Sequence, residues 1–143
     1  MSITNQMLAN QKLGATIRFS YPEENPEFVF EVQRMALGER AFMEEDVLLS
    51  NEVQQDGKFN QVQFGKLLGR KMFDKFKEKL RGWEHKSFEY NEENKKLFYD
   101  SLSLENRQQI VGAYGRKLNE EFKEAEGNVA TLEKGSSKPQ KAE

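Results

Sequence analysis

Apolar and polar residues alternate in two short stretches near the start of the chain, "ATIRFSYP" and "EFVFEVQRM". Ile17 and Phe19 in the first, and Phe28, Phe30 and Val32 in the second, recur at every other position. That period belongs to a strand with one buried face. Between them "PEENP" supplies turn residues and two prolines, which have no N–H for a central ladder. The pair predicts a β-hairpin from Ala15 to Met35. Residues 1–14 are polar and lack a sustained period, and are read as a flexible N-terminal arm.

The period then lengthens. Phe42, Leu49 and Val53 fall at helical intervals, with Gly38 as N-cap and Glu39 at the positive end of the helix dipole, which predicts a helix from Glu39 to Val53. After the turn signal "QQDG", Asn60 offers a cap, Gln63 can reach back to it, and Phe59 with Phe64 has the spacing of a hydrophobic staple. In that second helix Leu68, Met72, Phe73, Phe76 and Leu80 cover an arc of about 140°. It is expected to run to Arg81 and to end at Gly82. Asn91 predicts the start of a short helix, "EENKKLFYDSL", and Ser103 the start of a last one, where Val111, Tyr114, Leu118 and Phe122 recur at three and four. Gly112 and Gly115 weaken that helix but leave room for another helix to approach closely. From residue 126 onward the periodicity fades, and a disordered tail over 126–143 is expected. The fold class is therefore α+β, mainly α: an N-terminal β-hairpin followed by four helices, in a single domain over residues 15–125.

Composition narrows the chemistry. Eleven phenylalanines supply core material, and the absence of cysteine removes disulfides, thiolate nucleophiles and cysteine–zinc sites. One histidine is too few for the usual multi-histidine metal sites, so neither a metal nor another cofactor is expected. No apolar run approaches the length of a membrane span, and no secretory signal is apparent, so a soluble intracellular protein is expected. The net charge of −2 conceals a split. Residues 23–56 carry ten acids against two arginines, and residues 58–81 carry eight bases against two acids. These blocks either pair within the fold or address different partners.

The stretch "GWEHKSFEYNEEN" holds the single Trp83 and the single His85. Glu84 beside His85 has the composition of acid–base machinery, but neighbours on an extended chain point in opposite directions. Trp83, Phe88, Tyr90 and Asn91 are better read as a structural clasp that closes the core and opens the next helix. Lys66, Arg70, Lys77 and Arg81 form a basic stripe along one helix, suited in principle to phosphates. The neighbouring acidic helix and the absence of any nucleic-acid-binding signature argue against that partner. "MEEDV" lacks the alternating ligands of a calcium loop, and "GKLLGRK" lacks a phosphate cradle. No catalytic residues are assigned.

The "ALGER" junction, then Trp83-Glu84, then Phe88, Tyr90, Asn91, Glu93, Asn94 and Leu97, resembles the tail assembly chaperones of long-tailed bacteriophages, over roughly residues 15–124. His85 stands where that pattern usually has glycine, and the turn before Phe88 is shorter. The resemblance implies a non-enzymatic assembly factor in the bacterial host cytoplasm. Such a factor binds the tape measure protein and keeps it soluble while major tail tube subunits polymerise around it. The expected contact surface is apolar, from Phe73, Phe76, Leu118 and Phe122, with Lys66, Arg70 and Lys77 at its rim and self-association through exposed apolar faces. By pattern alone the same aromatics fit a core equally well. The alternatives are a phage structural or head–tail completion protein, and a small nucleic-acid-binding protein using the basic helix.

Overall fold

The computed structural model describes residues 2–137, which form an α+β fold that is mainly α. The chain runs α1 (Ile3–Lys12), β1 (Thr16–Tyr21), β2 (Phe28–Gln33), α2 (Leu37–Leu48), β3 (Gln54–Gln55), β4 (Lys58–Phe59), α3 (Gln61–Lys79), β5 (Leu80–His85), α4 (Glu92–Ser101) and α5 (Leu104–Ser137). The expected hairpin is β1–β2, antiparallel, with Phe19 opposite Phe30. Period two places Ile17, Phe19 and Tyr21 of β1 and Phe30 and Val32 of β2 on the buried face.

The sheet has a third strand that the sequence pattern did not announce. β5 pairs antiparallel with β2, giving the order β1-β2-β5. α3 passes into it without a turn: its C-cap, Leu80, is already extended at φ −65°, ψ 126°. Gly82 therefore does not end the helix, which stops at Lys79. It sits inside the strand opposite Glu31, where the register slips so that Val32 faces Leu80. A Cβ at Gly82 would meet open space, so the glycine is not required by crowding, and it marks the bulge where the strand bends. Arg81 is the extra residue, and its guanidinium turns outward to Gln33.

Helix starts follow their caps closely. Asn60 Oδ1 accepts from Gln63 N at 3.1 Å, and the Phe59 and Phe64 rings meet at 5.6 Å as the staple requires. Asn91 Oδ1 accepts from Asn94 N at 2.8 Å. Ser103 and Asn106 cap each other: Ser103 Oγ accepts from Asn106 N at 3.1 Å, and Asn106 Oδ1 accepts from Ser103 N at 3.0 Å.

Four expectations are corrected. The N-terminal arm is a helix, α1, capped by Ser2 and laid along α5 through Ala9, its one buried residue. Its docking face is too small and too polar to register as a hydrophobic period. α2 begins one residue before Gly38, with Ala36 in the N-cap position and no side-chain cap, and it stops at Leu48 rather than Val53. Val53 is fully buried all the same, in the turn leading to the β3–β4 hairpin. That hairpin turns on Asp56 (φ 52°) and Gly57 (φ 72°), the left-handed pair of a tight two-residue turn. α5 continues through Ser137, so the expected tail is helical over 126–137, and residues 138–143 lie outside the described residues. Finally, no described helix exploits the glycines of α5: a Cβ at Gly115 would meet open space, and one at Gly112 only Arg116 of the same helix.

One core runs from the hairpin through α3, β5 and α4 to α5, with Phe30, Phe76, Ile110 and Tyr114 fully buried. Tyr114 anchors α5 to the sheet by donating its hydroxyl to the Gln33 carbonyl at 2.9 Å. Phe76→Ala should therefore cost about 3–5 kcal/mol of unfolding free energy, read as a lower denaturation midpoint at unchanged slope.

Candidate functional site

The structural clasp assembles as a ring stack at the end of β5. Trp83 faces the core and lies parallel to Phe88, with centroids 5.7 Å apart and planes within 8°. Its Nε1–H donates to the Phe88 carbonyl at 2.7 Å, so one side chain supplies both apolar contact and the polar tie. Tyr90 meets Trp83 edge-on at 4.9 Å. Asn94 of α4 then donates to the Glu89 carbonyl at 2.7 Å and secures the far end of the connector. Strand alternation separates Glu84 from His85. Glu84 points outward to Arg18, whereas the His85 ring packs on Phe28 at 4.7 Å and its Nδ1 accepts from Ser87 N.

The structure scatters the expected contact residues. Phe73, Phe76 and Leu118 are core, not surface: all three are buried in the main cluster. Their helical arc is the face that packs on the sheet, and an arc carries no mark of what covers it. Phe122 is half-buried under α1, beside Ala9 and Ala125. Lys66, Arg70 and Lys77 do remain exposed on α3. None of the three forms an ion pair among the described residues, and Lys77 Nζ lies 5.2 Å above the Tyr99 ring.

The acidic and basic blocks meet at one point. Glu39, at the start of α2, accepts from Lys75 at 3.1 Å and from Lys79 at 3.0 Å on α3. Lys79 is buried, its side chain 8% exposed. Burial works to raise the Glu39 pKa, but hydrogen bonds and charge from Lys79 and Lys75 outweigh it and hold the carboxyl below its ordinary value.

Beside this pair, α2 and α3 enclose an open groove of about 500 Å³. Met43 forms its floor, Phe42 stands over it 72% exposed, and Asp46, Lys71, Asp74 and Lys75 line the rim. Leu49, seven residues and nearly two turns after Phe42, is 74% exposed on the same side of the helix axis. Phe42 and Leu49 are thus large apolar side chains exposed on α2 and its C-cap, whereas the apolar residues expected at the contact surface are buried or half-buried. The signal was present in the "ERAFMEEDVLL" pattern, where Phe42 and Leu49 fall apart from the buried pair Met43 and Val47.

Among the described residues, no group of three His, Cys, Asp or Glu side chains gathers into a metal-ligand set, and no helix is long and apolar enough to cross a membrane. Neither a family model, a curated protein nor a solved structure matches the chain.

Glu39→Ala would strand the Lys79 ammonium, and the expected loss is about 3 kcal/mol. The sign of the pH effect follows from the lowered folded value. Glu39 contributes fully above the unfolded carboxylate range, and the contribution is lost as pH falls through the folded pKa. Glu39→Gln should accordingly flatten the acid limb of stability against pH below about pH 4, measured by denaturant titration at each pH.

Proposed function

We propose that the chain is a non-enzymatic tail assembly chaperone that holds an amphipathic helix of a tape measure protein in the α2–α3 groove, in the cytoplasm of an infected bacterium. The observation that carries this reading is the exposed apolar ridge of Phe42 and Leu49 beside a rim of both signs of charge. Large apolar side chains exposed together on a small protein commonly mark a binding surface. A helix laid in a groove carries apolar anchors at spacings of three, four and seven, and Phe42 and Leu49, seven apart, offer apolar contacts one such repeat apart. Asp46 on α2, with Lys71, Asp74 and Lys75 on α3, would set the register and the sign of the partner's flanking charges. The resemblance in the Trp83–Leu97 segment supports the same reading from a separate part of the chain. There the clasp has a scaffolding role: it ties β5 to α4.

The test is co-expression with the tape measure protein of the same phage genome. The chaperone should keep that protein in the soluble fraction and co-purify with it, and should be absent from finished particles. Phe42→Glu and Leu49→Glu should each leave stability within about 0.5 kcal/mol while reducing capture at least tenfold. Capture that survives both changes would remove the groove from the mechanism. Presence in mature particles would favour a structural or completion protein. Salt-steep retardation of DNA that Lys66, Arg70 and Lys77 substitutions flatten would favour nucleic-acid binding instead.

A further inference from the structure

The face of α5 beneath α1 carries an arrangement that the open groove does not account for. α1 is ten residues long, a length at which an isolated helix is marginal, and only Ala9 is buried. Its larger apolar residues point the wrong way: Ile3 is 71% and Met7 62% exposed. What α1 covers is more apolar than what it offers, namely Phe122 and Ala125 of α5.

At the C-terminal end of α1 lies a buried guanidinium. The Arg34 side chain is 10% exposed; its Nε donates to the Gly14 carbonyl at 2.7 Å and its Nη2 pairs with Glu121. Nη1 is buried without a hydrogen-bond partner among the described residues. A buried donor left unpaired is costly, and a charged one more so. Arg40 lines the same crevice, and its guanidinium is bound to a neutral amide, Asn119, at 2.8 Å. The residue that α1 contributes there is Asn10, and α1 has no acidic side chain. The crevice holds only about 10 Å³, so a free small molecule has no room. A carboxylate that reaches Arg34 must arrive on the element lying across it.

We infer that α1 is a displaceable occupant of a second helix-docking site, and that the site is matched to an amphipathic partner helix carrying a small residue in the place of Ala9 and a carboxylate in the place of Asn10. Such a helix retains the contact with Ala125 and Phe122 and supplies a carboxylate for Arg34 Nη1, beside the existing pair with Glu121, and for Arg40, which has only an amide partner. α1 shields this surface until the partner arrives. The inference rests on the reading of the chain as a helix-capturing protein, and it adds a second site and the chemistry of its ligand.

The experiment uses full-length chains and a fluorescein-labelled peptide of residues 2–14, made with Asn10 and with Asn10→Glu. Ala9→Arg in the protein undocks its own α1. The Asn10→Glu peptide should bind that variant at least fivefold more tightly than the unsubstituted peptide, by fluorescence anisotropy, with the advantage shrinking as salt rises. Wild-type protein, its site covered, should bind both peptides at least tenfold more weakly than the Ala9→Arg variant. Hydrogen exchange gives a readout that does not depend on the Ala9→Arg variant folding. Amides of α1 in the wild-type chain should exchange far faster than those of β2, and Asn10→Glu in the full chain should slow them selectively. Equal affinity of the two peptides, or α1 exchange as slow as that of β2, overturns the inference. So does a dimer formed by exchange of α1 between copies, seen by sedimentation. If the Asn10→Glu peptide binds while tape measure capture fails, the site stands and the chaperone reading falls. If capture depends on Phe42 and Leu49 and the peptides show no preference, the chaperone reading stands without this second site.

Discussion

The main core of this fold converges on the ring of Phe30, at the middle of the central strand. It is fully buried and lies within 6.4 Å, centroid to centroid, of Phe19, Tyr21, Phe28, Phe76, Trp83 and Phe98. Those rings come from β1, β2, α3, β5 and α4, so a single side chain joins five of the ten described elements. Aromatic pairs at these separations contribute beyond the area they bury, and edge-on contacts such as Phe30 with Phe76, at 83°, fix orientation as well as distance. The core is held by rings because the sheet is small. Three strands of six residues offer few inward positions, and bulky side chains are needed to span from them to the helices packed on that face.

The same constraint explains why α3 runs straight into β5. Phe76, Leu80 and Trp83 must all face one core, and the change from helix to strand between Lys79 and Leu80 lets them do so without a loop. The bulge at Gly82 then absorbs the mismatch between where the helix delivers the chain and where β2 requires it. On the outer side of the sheet, Arg18 bridges Glu31 and Glu84, tying the three strands together across a solvated face. Such exposed pairs add little stability but keep a polar surface where no layer covers the sheet.

The candidate sites show how far amphipathic pattern reaches. Phe73, Phe76 and Leu118 stood out because they recur at helical spacing, and that spacing is what a core face also requires. Phe42 and Leu49, with Val53, set the helical period expected of α2, yet the structure turns Met43 and Val47 inward and leaves Phe42 and Leu49 exposed. Two stripes on one helix, one inward and one outward, cannot be ranked until the partner helix is placed. Arg34 poses the same problem in charge: the residues that pair it, Gly14 and Glu121, lie twenty positions before it and eighty-seven after it.

Local chemistry in the sequence determined the hairpin, the caps at Asn60, Asn91 and Ser103, the staple of Phe59 and Phe64, and hence the α+β class, because each rests on residues within a few positions of one another. Tertiary structure alone decided that Leu80–His85 is a strand, that residues 3–12 form a helix, that α5 continues to Ser137, and which apolar stripes face water. A strand interrupted by glycine and entered directly from a helix has no local period, and its identity comes from pairing with β2. A helix whose docking face is one alanine gives no hydrophobic signal either. Burial is a property of what lies opposite, and for this chain what lies opposite is most often far away in sequence.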